Sequence, residues 1–192
     1  MDYRLAPEHV YPAPVEDALA AYRWLLERHA PSRIAIGGDS AGGGLSVAAL
    51  VAFRDAGLPT PAAAVLLSPF TDLGVDGASI GEREGRDPML SAGFLRWCAN
   101  QYCGDQPTNE PGMSPLYADL HGLPPLLIQV GSEEVLYSDA EDLARHAREA
   151  RVSVDFKPYE GLWHVFQLFA GWLEDADVAV AEIGGFLKRY YV

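Results

Sequence analysis

The segment Arg33-Ile34-Ala35-Ile36-Gly37-Gly38-Asp39-Ser40-Ala41-Gly42 decides how this chain is read. Arg33 to Gly37 is an apolar run of strand length, and Gly42 to Ala56 is so apolar that it reads as a helix buried on most sides. Between them stands Gly38-Asp39-Ser40-Ala41-Gly42, a G-x-S-x-G pattern at a strand-to-helix junction. A sharp turn there forces the serine into a strained backbone conformation, and the glycines keep side chains out of the turn. The Ser40 hydroxyl is then lifted clear of the sheet. The following helix aims its free N–H groups and dipole at it, so the N–H of Ala41 is placed to stabilise a developing oxyanion. A phosphate-cradling loop would require G-x-G-x-x-G or Gly-Lys-Ser/Thr, and neither occurs. Ser40 is therefore read as a nucleophile.

The pattern continues outward from the junction. Glu16 to His29 places Leu19, Tyr22 and Leu25/Leu26 on one helical stripe before Pro31. Downstream, Gly57 and Pro59 end the second helix. Ala63 to Leu67 reads as a second buried strand, Ser91 to Tyr102 as a helix, and Leu126 to Val130 as a third strand. Ser138 and Glu141 carry a capping-box signature for a helix to Ala150. Val152, Val154 and Phe156 alternate as a fourth strand. A last helix, Asp175 to Tyr191, is expected to turn Val178, Ala181, Ile183, Phe186 and Leu187 inward. Strands separated by helices imply an α/β fold with a parallel sheet covered on both faces. Without repeats or linker-like segments, residues 1–192 are expected to form one domain.

Composition narrows the function classes. Twenty-seven acidic against fourteen basic residues give a formal charge of −13, which argues against nonspecific binding of nucleic acid or an anionic membrane. The longest apolar stretch, around Ala62 to Leu67, is far shorter than the ~20 residues a membrane-spanning helix needs. Cys98 and Cys103, five residues apart on one predicted helix, are too far apart for a disulfide, and two free thiols point to a reducing, cytoplasmic setting. No secretory signal opens the sequence. No His/Cys/Asp cluster has metal-ligand spacing, so no metal or cofactor is expected.

A nucleophile on such a corner takes its acid and base from loops at the carboxyl ends of later strands, in the order serine, acid, histidine. His164, in Gly161-Leu162-Trp163-His164-Val165-Phe166 after the fourth strand, is placed to be the base. His29 and His146 lie within predicted helices, and His9 and His121 precede turns. Glu133, Glu134 and Asp139 all follow the third strand and compete to be the acid. Asp139 falls in the first turn of a predicted helix, where an acidic residue is favoured by the helix dipole alone. Glu133 and Glu134 are not separable on these grounds.

Several segments together resemble the hormone-sensitive lipase family of microbial esterases, within the α/β-hydrolases. They are Asp2-Tyr3-Arg4-Leu5-Ala6-Pro7-Glu8-His9, Gly37-Gly38-Asp39-Ser40-Ala41-Gly42-Gly43, Ser114-Pro115-Leu116, Leu123-Pro124-Pro125 and Gly161 to Phe166. The resemblance implies an α/β-hydrolase fold and a serine carboxylesterase acting on short- to medium-chain acyl esters. It places the acid thirty residues before the histidine, at Glu134, leaving Glu133 and Asp139 in reserve. It also implies structural support of the site by Glu8 and Asp39, and a strand and turn at Asp2 to His9. A homodimer through the final strand edge, Val152 to Phe156, would also follow. The family's His-Gly-Gly-Gly oxyanion motif, which precedes the Asp-Tyr-Arg segment, has no counterpart here. By family topology the edge of the Arg33–Gly37 strand is then left open, and the chain's own activity is expected to be weak. An inactive fragment of such an esterase, and a lactonase or peptidase with the same triad, are the alternatives.

Overall fold

A computed structural model describes residues 1–191. Four parallel strands, β1 (Ala35–Asp39), β2 (Ala63–Leu67), β3 (Leu126–Gly131) and β4 (Val154–Tyr159), lie side by side in chain order. Helices α1 (Ala13–Leu26), α2 (Ala41–Asp55), α3 (Ala78–Glu82), α4 (Ala92–Cys103), α5 (Tyr137–Glu149) and α6 (Glu174–Tyr190) connect and cover them.

Strand alternation sorts the core into two sides. Ala64, Leu66, Leu126, Ile128 and Val130 pack with Tyr22 of α1, Val47, Leu50 and Phe53 of α2, and Leu143 and Ala147 of α5. On the opposite face, Ala63, Val65 and Leu127 meet Phe186, with Ile183, Leu187 and Tyr190 of α6 around them. A third cluster joins Phe70 and Leu73, beyond β2, to Leu95 and Ala99 of α4 and to Val135 and Leu136 at the start of α5. Among the described residues, no helix is long and apolar enough to cross a membrane.

The expected elements form, with displaced boundaries. β1 begins at Ala35 because Pro31–Arg33 make a 3₁₀ turn, and it continues through Gly38 and Asp39, which pair with Leu66 and Leu67. α1 begins at Ala13 and tolerates Pro14 in its first turn, where an N–H has no helical partner. β4 starts at Val154, since Val152 donates its N–H to Ala147 and closes α5 instead. The capping box does not form. α5 starts at Tyr137, and the Ser138 hydroxyl lies 2.7 Å from that of Ser79, tying α5 to α3. On α6 the inward stripe is Ala176, Ala179, Ile183, Phe186 and Tyr190, whereas Val178 and Ala181 are exposed. The inward residues follow a spacing of three and four residues, which leaves positions 178 and 181 on the other side.

Residues 1–5 make no strand. Arg4 holds this segment to α1, its backbone N–H and guanidinium both bonding Asp17. A strand needs a neighbour's hydrogen-bonding edge, and β1 pairs only with β2 among the described residues. The other edge of β1 is therefore open, as expected, and flanks a cleft of about 570 Å³ lined partly by Tyr3, Tyr22, Ile36 and Gly38.

Two contacts fix the segment after β2, which the site depends on. Asp139 of α5 is 2 % exposed and accepts hydrogen bonds from the N–H groups of Thr71 (2.8 Å) and Asp72 (2.9 Å). Gly44 of α2 runs against the carbonyl of Phe70, so closely that an added methyl would collide with it. A methyl at Gly42 would meet nothing within 4 Å. Alanine is intrinsically the better helix former, so Gly42→Ala should hold or raise the denaturation midpoint. Gly44→Ala should lower stability by about 1–3 kcal/mol through overpacking.

Burial pushes the Asp139 carboxyl up from 3.8 to about 7, against the lowering effect of the Thr71 and Asp72 N–H groups. The folded chain then retains a proton that the unfolded chain has released, so this contribution to stability is present at low pH and lost as pH rises through that interval. Denaturant midpoints should fall between about pH 4 and pH 7 in the wild type relative to Asp139→Asn, which keeps a side-chain acceptor and does not titrate.

Candidate active site

Ser40 stands at the corner between β1 and α2 with φ 53° and ψ −120°, a conformation sparsely populated by residues other than glycine. Its neighbours hold it there. The Ser40 N–H donates to Leu67 O at 2.8 Å, and its carbonyl accepts from the N–H groups of Phe70 (2.9 Å) and Gly43 (3.0 Å). At Gly38 a methyl group would strike the carbonyl of Gly42, so the close approach requires glycine there. Ala41 is the first residue of α2, and its N–H is one that the helix itself cannot satisfy.

His164 lies on the loop after β4 and is 3 % exposed. Its Nδ1 is 2.9 Å from Glu134 Oε2, and Glu134 is fully buried in the turn between β3 and α5. The second oxygen, Oε1, accepts from the hydroxyl of Ser68 at 2.7 Å and from the Gly131 N–H. With Nδ1 turned to the carboxylate, Nε2 is the nitrogen left for a substrate or a hydroxyl. No hydrogen bond joins Ser40 to His164 among the described residues. One short segment, Ser68 to Phe70, nevertheless bonds Ser40 directly and the two neighbours of His164, Glu134 and Val165. Phe70 donates to the Ser40 carbonyl, and the Ser68 hydroxyl accepts the N–H of Val165 at 3.1 Å.

The other carboxylates are engaged elsewhere. Glu133 points outward, where Arg86 Nε donates to it at 2.8 Å and Ser132 adds a bond at 3.2 Å. Asp139 is committed to the Thr71 and Asp72 N–H groups. Glu8 and Asp39, expected to brace the site, are both exposed, and neither side chain makes a hydrogen bond among the described residues. Burial, together with the nearby charge of Asp39, raises the pKa of the Tyr3 hydroxyl. Asp39 ends β1, whose outer edge pairs with no further strand among the described residues.

Two contributors were missed by sequence reasoning. Ser68 carried no signal beyond standing directly after an apolar strand, in the position Ser40 holds after β1. Gly44, the third glycine of Gly42-Gly43-Gly44, offered the glycine run itself. Beside Ala41 lies an apolar cavity of about 250 Å³, lined among others by Tyr3, Leu5, Leu45, Phe70, Trp97 and Met113. No group of three or more His, Cys, Asp or Glu residues is placed to hold a metal among the described residues.

Comparison with known proteins identifies the family. An acetyl-hydrolase of Streptomyces hygroscopicus is 47% identical over 189 residues, covering 98% of this chain and 63% of that protein. An esterase of Acinetobacter venetianus is 38% identical over 189 residues, covering 97% and 62%. The crystal structure of an esterase from the bacterial hormone-sensitive lipase family superposes with a TM-score of 0.98 at 50% identity, covering all of this chain and 65% of that one. The chain thus spans somewhat less than two thirds of the length of these relatives. The family described as having the alpha/beta hydrolase fold matches residues 1–168, and with the strand-to-helix serine corner and the resemblance to hormone-sensitive-lipase-type esterases, the chain belongs to the α/β-hydrolases.

Proposed function

We propose that the chain carries the triad of a serine carboxylesterase, with Ser40 as nucleophile, His164 as general base and acid, and Glu134 as the carboxylate that orients the imidazole. The observation that carries this reading is the fully buried Glu134–His164 pair, bonded through Ser68 and Phe70 to the same segment that holds the Ser40 corner. Ser40 Oγ attacks the ester carbonyl while His164 Nε2 takes its proton, and the imidazolium returns that proton to the departing alkoxide. Water, activated by the same nitrogen, then releases the acid. Glu134 stays ionised and holds Nδ1–H throughout. The Ala41 N–H donates to the oxyanion of the tetrahedral intermediate.

The relatives' names, acetyl-hydrolase and esterase, support an ester of a small acyl group. The modest apolar cavity beside Ala41 supports a short to medium acyl chain. Ala41 is the one oxyanion donor assigned within these residues. In serine proteases a single lost donor costs about 100- to 1,000-fold in rate, so slow turnover is expected wherever the remaining donors are absent.

Hydrolysis of p-nitrophenyl acetate tests the reading, together with mass-spectrometric labelling by a fluorophosphonate, which reports the nucleophile even when turnover is slow. The wild type should hydrolyse the ester and take one label on Ser40. Ser40→Ala and His164→Ala should each lose about 10⁴-fold or more in kcat, and Glu134→Gln about 10³- to 10⁴-fold. Glu133→Gln should retain activity. Equal rates for wild type and Ser40→Ala, with no label at Ser40, would exclude this function.

A further inference from the structure

Ser68 is fully buried, stands at the end of β2, and adopts φ 47°. Positive φ at a residue other than glycine is uncommon, and Val165, directly after the histidine, shares it with φ 49° and ψ 43°. For a β-branched side chain this is a costly conformation that persists only where the surroundings enforce it. Among the surroundings at Val165 is Ser68, whose Oγ accepts the Val165 N–H at 3.1 Å. The same oxygen donates its proton to Glu134 Oε1 at 2.7 Å. Ser68 is itself fixed from behind, its N–H donating to Gln129 O at 2.8 Å across the β2–β3 ladder.

One hydroxyl thus bonds both the carboxylate that holds His164 and the backbone that carries it. A carboxylate with two free oxygens can rotate about its last bond, whereas here Oε1 is pinned by Ser68 and the Gly131 N–H. Oε2 is then held toward Nδ1. The Val165 N–H fixes the other side of the same hydrogen-bonded pair by setting the direction in which the histidine leaves the chain. We propose that Ser68 is a positioning residue of this site, which locks His164 in the Nδ1–H tautomer with Nε2 turned toward the nucleophile corner. This role rests on the triad reading above for its catalytic meaning, but the lock itself is a property of the folded chain.

The lock predicts a spectroscopic signature independent of turnover. In ¹⁵N-labelled protein the His164 imidazole should show a single Nδ1–H tautomer with a low-field proton that exchanges slowly with water. Ser68→Ala removes the hydroxyl and keeps the strained backbone. Ser68→Gly removes the hydroxyl but relieves the positive φ, so it guards against loss of the fold. Both variants, shown by their amide spectra to be folded, should lose the slowly exchanging proton and show mixed tautomers. With p-nitrophenyl acetate, kcat should fall about 10- to 100-fold with KM little changed, the size of effect seen when outer hydrogen-bond partners of metal-ligating histidines are removed. A folded Ser68→Gly that keeps the single tautomer and its slow exchange would overturn the proposal. If Ser40→Ala hydrolyses the ester as fast as the wild type but the tautomer still depends on Ser68, the esterase reading fails and the lock stands.

Discussion

A carboxylate shut away from water must be given donors, and Glu134 is shut away completely. Three groups surround it: the Ser68 hydroxyl, the Gly131 N–H and the imidazole of His164. Each comes from the end of a different strand or from the loop just beyond it, so satisfying this charge fixes β2, β3 and the loop after β4 against one another. Gly131 contributes a second constraint, since a methyl there would strike the carbonyl of Leu162 and push away the loop that delivers the histidine. The Glu134–His164 hydrogen bond is therefore as much an architectural element as a chemical one.

The strained residues follow the same logic. Ser40, Ser68 and Val165 all have positive φ at the carboxyl ends of strands or in the loops beyond them, and all are hydrogen-bonded into the Ser68–Phe70 neighbourhood. Strain of this kind costs on the order of 1–3 kcal/mol per residue and survives only in a rigid setting. The setting is supplied by Asp139 holding Thr71 and Asp72, and by Gly44 letting α2 lie directly on the Phe70 carbonyl. Val75 and Arg151 also have positive φ and lie outside this group; Arg151 follows the last turn of α5, where a left-handed residue closes a helix.

Much of this was legible in the residues. The apolar runs around Ile36, Val65 and Ile128 read as strands and form them, and the G-x-S-x-G between β1 and α2 located Ser40. What misled was local pattern that tertiary contact overrode. Ser138 and Glu141 have capping-box spacing, yet the Ser138 hydroxyl bonds Ser79, fifty-nine residues away in sequence. Val152 alternates with Val154 as in a strand, but its N–H closes α5. Val178 and Ala181 are apolar and helical, yet they face away from the sheet because Ala179 and Phe186 set the rotation of α6.

The sequence by itself determined the order of elements, the strand-to-helix corner that carries Ser40 and the loop that carries His164, because those depend on periodicity and on glycine spacing within a few residues. The choice among Glu133, Glu134 and Asp139 was made by family spacing and not by residue chemistry, since three carboxylates within seven positions carry the same charge. Only the tertiary structure separates their surroundings: Glu133 faces Arg86 and water, Asp139 faces two backbone N–H groups, and Glu134 faces His164. Ser68 was invisible for the same physical reason. A hydroxyl becomes a clamp only when residues sixty-six and ninety-seven positions away close around it.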